Sequence, residues 1–107
     1  MGKKTIRKYI DLYVKRLQKD VAPEKVIMYG SYITNNFKEK ESDIDLLVIS
    51  KKFKKLSEDN RLKLLYGKTV GLPIDLHIYG FTPDEIKNVS PLRSLYYALN
   101  KGVNILS

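Results

Sequence analysis

Three aspartates and a Gly-Ser pair have the types and spacing to do chemistry. Asp43 and Asp45 stand two apart at the head of an apolar run, Ile44, Leu46, Leu47, Val48 and Ile49. Side chains of a strand alternate between faces, so a strand over 43–49 presents both carboxylates on one surface. Like charges that close resist ionising together unless a cation sits between them. Converging carboxylate oxygens suit Mg²⁺, a hard ion that takes oxygen ligands at about 2.0–2.1 Å and shares its shell with phosphates. An earlier apolar run, Val26 to Tyr29, ends in Gly30 and Ser31. There Gly30 lets backbone come close, Ser31 adds a hydroxyl, and a turn aims N–H groups at an anion. Asp75 lies inside a third run with Leu72, Ile74, Leu76 and Ile78, which predicts a strand position with its apolar neighbours facing the other way. An aspartate there is costly unless paired or metal-bound, the alternative being a solvated sheet face. Three aspartates on adjacent strands suit two metal ions about 3.5–4 Å apart, the arrangement that drives in-line displacement at phosphorus. Metal and phosphate sites together imply a nucleotide.

Around these residues the chain reads as alternating helices and strands. Residues 3–18 carry Ile6, Tyr9, Ile10, Tyr13, Val14 and Leu17 at helical spacing, with Lys3, Lys4, Arg7, Lys8, Lys15 and Arg16 on the remaining faces. That pattern predicts an amphipathic helix laid on a sheet, with a basic helix facing nucleic acid as the alternative. Residues 20–23 break it, and strands follow over 25–29 and 43–50. The consecutive Leu46, Leu47, Val48 and Ile49 predict a central strand buried on both faces. Residues 31–35 suit a short helical turn, 36–41 a polar loop and 51–55 a basic connector. Ser57 with Glu58 and Asp59 starts a helix that Gly67 caps, with Leu62, Leu65 and Tyr66 as its buried stripe. Arg61, Lys63 and Lys68 on it are expected to face solvent rather than phosphates.

A third strand is predicted over 72–79, with Pro73 in its first positions. Thr82-Pro83-Asp84-Glu85 is a capping box, and Ser90-Pro91 opens a last helix carrying Leu92, Leu95, Tyr96 and Leu99. Gly102 ends that helix, and 103–106 add a final strand. Strands alternating with helices imply an α+β or α/β two-layer fold, and chain order alone suggests parallel strands. His77, the sole histidine, shares Asp75's face and reads as a hydrogen-bonded rim or core residue rather than a metal ligand. Tyr29, Tyr32, Tyr96 and Tyr97 read as core or rim, with base stacking an alternative for Tyr32. Ser42 caps or orients the loop, or bonds a phosphate.

At 107 residues the chain is one domain, residues 1–107, with 43% hydrophobic and 30% charged residues as in an ordinary globular protein. No apolar run is long enough to span a membrane. With no cysteine, disulfides, thiolate ligands and thiol nucleophiles are excluded, and without an export signal the expected location is cytoplasmic. The net charge of +8 suits anionic partners, namely nucleotides, nucleic acid or an acidic protein, or else a solvated lysine-rich surface.

GSYITNNFKEKESDIDLLVI followed by GLPIDLHI resembles the minimal nucleotidyltransferase (MNT) family of the DNA polymerase beta superfamily. Its pattern is a hydrophobic residue, Gly-Ser, a loop, Ser-Asp-x-Asp, and a later aspartate between hydrophobic residues. The resemblance spans nearly the whole chain and implies a polymerase beta palm-like α+β fold, a mixed sheet with helices packed on it. It gives Gly30 and Ser31 a phosphate-holding role, Asp43 and Asp45 a metal-binding role, and Asp75 a share of one metal together with general-base duty. It also implies AMP transfer from ATP, with two Mg²⁺ ions, to a hydroxyl. The implied acceptor is a tyrosine of a HEPN-type toxin, which would make this chain the antitoxin of a HEPN/MNT module. Relatives commonly carry a basic residue and then glycine where Thr34 and Asn35 stand here. That departure favours the alternative, a protein that neutralises its partner by contact without catalysis. A homo-oligomer stays open.

Overall fold

The computed structural model describes residues 2–30, 44–87 and 99–106. Its elements run α1 (Lys3–Asp20), β1 (Lys25–Tyr29), β2 (Ile44–Ile49), a 3-10 turn (Lys51–Lys55), α2 (Glu58–Gly67), β3 (Leu76–Phe81) and β4 (Val103–Asn104). The strands form one mixed sheet in the order β3-β2-β1-β4. β1 runs antiparallel to both β2 and β4, whereas β3 runs parallel to β2. The sheet is therefore mixed, as the family resemblance implied, and not the parallel sheet that chain order suggested.

The first helix forms because of what it buries. Ile6, Ile10, Tyr13, Val14 and Leu17 are all buried, each worth roughly 1.5–3 kcal/mol against exposure. Its N-terminus works the other way: there is no acidic residue in the first turn and no side-chain cap at Gly2. Lysines at the positive end of a helix cost about 0.3–1 kcal/mol each, so burial wins. The helix ends where Ala22 takes a left-handed backbone (φ 44°). The buried Ser50 hydroxyl then donates to Val21 O at 2.6 Å and accepts from Lys52 N at 3.1 Å. One side chain thus ties the end of α1 to the end of β2 and to the turn that follows.

β2 is central and buried on both faces, as its sequence predicted. Ile44, Leu46 and Val48 face the main core with Val26, Met28 and Ile78 beneath α1, and Phe53 and Leu65 join them. Ile27, Leu47 and Ile49 face the other side, where Tyr29, Phe81, Ile86 and Leu99 pack. β3 approaches the main core closely at Gly80, where any Cβ would come within 2.9 Å of Leu65 Cδ1 and Phe53 Cε2.

Several expectations change. The third strand begins at Leu76, so Asp75 lies just before it rather than inside it. Pro73 lacks an N–H and fixes its own φ, and residues 73–74 bend, so pairing cannot start there. Arg61, expected in solvent, is only 7% exposed. Its Nε donates to Phe53 O and Leu56 O at 3.1 Å each, and its Nη1 to Glu85 Oε1 at 2.7 Å. In the α2 stripe Leu65 is buried, but Tyr66 is exposed, and its hydroxyl accepts from Ile78 N at 3.0 Å on the outer edge of β3. The capping box forms its two reciprocal bonds, Glu85 N to Thr82 Oγ1 at 3.2 Å and Thr82 N to Glu85 Oε1 at 2.7 Å. Residues 83–87 form turns, while the helix start at Ser90-Pro91 with Leu92, Leu95 and Tyr96 lies outside the described residues. The final strand is shorter than the predicted 103–106.

Candidate active site

The antiparallel register of β1 and β2 sets Tyr29 opposite Asp45, and the parallel register of β2 and β3 sets Asp45 opposite His77. Residues in register on neighbouring strands share a face. Tyr29, Asp45, His77 and, two residues on, Tyr79 therefore stand on the sheet face away from α1. The Asp45 side chain is 25% exposed and its Oδ1 lies 3.3 Å from His77 Nδ1. His77 Nε2 is in turn 3.2 Å from the Tyr79 hydroxyl.

Gly30 closes the other side of Asp45. It follows β1 directly and has φ +80°, a left-handed conformation that glycine adopts without steric cost. A Cβ built there would lie 2.2 Å from Asp45 Oδ2. Both reasons for a glycine hold at once, because the backbone turns sharply and the carboxylate of the neighbouring strand occupies the space a side chain would need.

Tyr29 is half-buried, and its hydroxyl is pushed up to about 12, first by burial and then by the negative charge of Asp45, with Tyr79 and Tyr66 adding to it. At neutral pH it is a protonated hydroxyl. Asp75 is exposed, and its carbonyl accepts from Ile44 N at 3.1 Å, so its backbone adjoins the head of β2. Beside it opens a pocket of about 420 Å³ lined by Tyr66, Thr69, Ile74, Asp75, Leu76 and His77.

The structure thus brings together Gly30 and Asp45, and sets the backbone of Asp75 alongside the residue before Asp45. Ser31, Ser42 and Asp43, along with Thr34, Asn35, Tyr32, Tyr96 and Tyr97, lie outside the described residues. Among the described residues no group of three or more His, Cys, Asp or Glu side chains is arranged to hold a metal ion. What is present fits a hard cation in kind, since the donors are carboxylate oxygens and one of them fills the hollow left by a glycine. His77 stands at the rim, one of the two placements the sequence left open, but its contact with Asp45 was missed. Alternation along Asp75-Leu76-His77-Ile78-Tyr79 placed three polar groups on one face; only the β2–β3 register could show which of them meets Asp45.

The chain belongs to the nucleotidyltransferase-domain family, whose sequence model matches residues 8–99. Nucleotidyl transfer is accordingly the class of reaction this domain defines, with a nucleoside triphosphate as substrate. Among solved structures, a candidate nucleotidyltransferase from Sulfolobus solfataricus superposes with a TM-score of 0.52 at 23% identity, over 79% of each chain. BolA1 from Arabidopsis thaliana superposes with a TM-score of 0.57 at 20% identity, covering 72% of this chain and 94% of that one. The BolA domain of SufE1 from Arabidopsis thaliana gives 0.53 at 20% identity, covering 80% and 99%. At these identities the likenesses are of fold, so the family assignment rests on the sequence match. No curated protein matches in sequence. Among the described residues no helix is long and apolar enough to cross a membrane.

Proposed function

We propose that this chain is a Mg²⁺-dependent nucleotidyltransferase that moves AMP from ATP to a hydroxyl, the acceptor being a tyrosine of a HEPN-type toxin for which this chain is the antitoxin. The observation that carries the reading is the Asp45 carboxylate at the head of the central strand, closed against Gly30 at the end of β1. In a nucleotidyltransferase-family chain that pairing joins a metal ligand to a phosphate-binding turn.

In this reading Asp43, Asp45 and Asp75 hold the divalent ions, and Gly30, Ser31 and Ser42 hold the phosphates. Bound Mg²⁺ supplies charge neutralisation on the phosphates and acidifies the attacking hydroxyl. Asp75, exposed beside an open pocket, takes the proton from the acceptor. The acceptor oxygen bonds to the α-phosphorus, the bond from that phosphorus to the bridging oxygen breaks, and pyrophosphate leaves with the electron pair.

Thr34 and Asn35 favour a second reading, in which the chain neutralises its partner by contact alone. Incubation with labelled ATP, Mg²⁺ and a purified HEPN-type toxin separates the two. Covalent label on the toxin supports transfer. Full neutralisation by an Asp43→Asn/Asp45→Asn double variant, with no label on the toxin from the wild-type chain, supports contact and overturns the enzymatic reading.

A further inference from the structure

We propose that His77 is a positioning residue for the reaction: it fixes the orientation of the Asp45 carboxylate, with Tyr79 holding the imidazole from its far nitrogen. The proposal rests on the nucleotidyl-transfer reading, in which Asp45 is a metal ligand.

The argument begins with donors and acceptors. An ionised carboxylate only accepts, a neutral imidazole has one N–H and one bare nitrogen, and a tyrosine hydroxyl serves either way. Asp45 Oδ1 lies 3.3 Å from Nδ1, and the Tyr79 hydroxyl 3.2 Å from Nε2. The Asp45 carboxylate favours a hydrogen on Nδ1, which faces it, and the Tyr79 hydroxyl meets Nε2 as donor or acceptor. The other tautomer would set a bare nitrogen against the carboxylate. The His77 and Tyr79 rings lie 5.0 Å apart, centre to centre, so Tyr79 also braces the imidazole.

The terminal torsion of an aspartate is otherwise broad. Here Oδ1 is engaged by His77 on β3, and Oδ2 is turned toward Gly30 after β1. The carboxylate therefore sits between His77 on β3 and the glycine backbone after β1, which favours ion binding because a metal-binding carboxylate is tuned by the groups around it. Both ring nitrogens are committed, one to Asp45 and one to Tyr79, so His77 is not itself a ligand. The pair is also too open to matter much for folding, since the His77 side chain is 48% exposed and pairs of that kind contribute about 0–1 kcal/mol. Its effect belongs in metal affinity rather than in melting.

The test measures Mn²⁺ binding by electron paramagnetic resonance and Mg²⁺-ATP binding by calorimetry on the full chain. The variants are His77→Phe, His77→Asn, Tyr79→Phe and Asp45→Asn. His77→Phe keeps the ring and removes the donor, and is expected to weaken ion binding by about tenfold, the lower end of the range for groups that orient metal ligands. His77→Asn places an amide N–H where Nδ1 stands and is expected to recover most of that loss. Tyr79→Phe should weaken binding in the same direction but less, and metal-free melting of all three should match the wild type. Wild-type affinity in His77→Phe alongside lost binding in Asp45→Asn would overturn the proposal and leave the site reading standing. An Asn variant as weak as the Phe variant would overturn the donor role. Undiminished binding in Asp45→Asn would overturn the site reading and this proposal with it.

Discussion

Arg61 and Asp45 both sit in polar clusters against β3, at its opposite ends, and the contrast between them separates structure from chemistry. At the far end the Arg61 guanidinium reaches Phe53 O, Leu56 O and Gly80 O, and Glu85 Oε1. It also lies 5.7 Å over the Phe53 ring. It joins the 3-10 turn, α2, β3 and the following turn, and is almost wholly out of water. At the near end Asp45, His77 and Tyr79 form a short chain left partly in solvent. A buried charge with every partner supplied by the protein locks a fold. A carboxylate oriented but still partly in water is the kind of group the proposed function needs for binding an ion.

If that contrast is right, each cluster fails in its own way when damaged. Asp45→Asn should cut nucleotide transfer by at least about 1,000-fold, roughly 4 kcal/mol of transition-state stabilisation, with melting no lower than the wild type's. Arg61→Ala should do the reverse. Loss of hydrogen bonds to a charged group, with carbonyls stranded, costs about 3 kcal/mol in denaturant unfolding, while activity per folded molecule is kept. Substantial stability loss in the first variant, or activity loss in the folded second, would erase the distinction.

Gly30→Ala sharpens it further. The left-handed backbone there costs a residue with a Cβ about 1–2 kcal/mol, and the new methyl must displace Asp45 Oδ2. Mg²⁺-ATP affinity should fall along with stability, a combination that neither of the other two variants gives. Affinity unchanged by that substitution would mean the carboxylate's position does not matter.

The smallest effect concerns pH. Burial, the largest single influence, raises the Glu85 carboxyl, but the Arg61 hydrogen bond, the Thr82 backbone N–H and the Arg61 charge together outweigh it, and the group titrates below its ordinary 4.5. A carboxylate lowered in the folded state contributes stability that is complete above the unfolded value. That stability is lost as pH falls through the lower, folded one. The stability gap between the wild type and Glu85→Gln should therefore be steady at neutral pH and close as pH drops below 4.5. With the Glu85 side chain 43% exposed, the gap should be no more than about 1 kcal/mol.

Much of the fold was legible in the sequence because its signals are local. The helical stripe from Ile6 to Leu17, the two-faced apolar run of β2 and the Ser57 start of α2 each depend on neighbours in the chain. Strand direction was not legible from chain order, because connections alone do not say which edge a strand joins; the family pattern supplied it. Asp75 was placed one step too deep in its strand because alternation continues through Pro73, whose missing N–H the pattern does not register. Arg61 was misread for a related reason: its partners lie 5 to 24 residues away, and nothing in the spacing of α2 announces them. At the site, Gly30 and Asp45 were legible as residue types but not as a contact, since their meeting depends on the β1–β2 register.

The most direct test of the central claim uses ATP labelled on either the α- or the γ-phosphate, supplied with Mg²⁺ and the proposed HEPN-type acceptor. Nucleotidyl transfer by the Asp45 site predicts that α-label becomes covalently attached by the wild-type chain, γ-label does not, and Asp45→Asn attaches neither. Attachment of γ-label, or α-label that persists in Asp45→Asn, would contradict it.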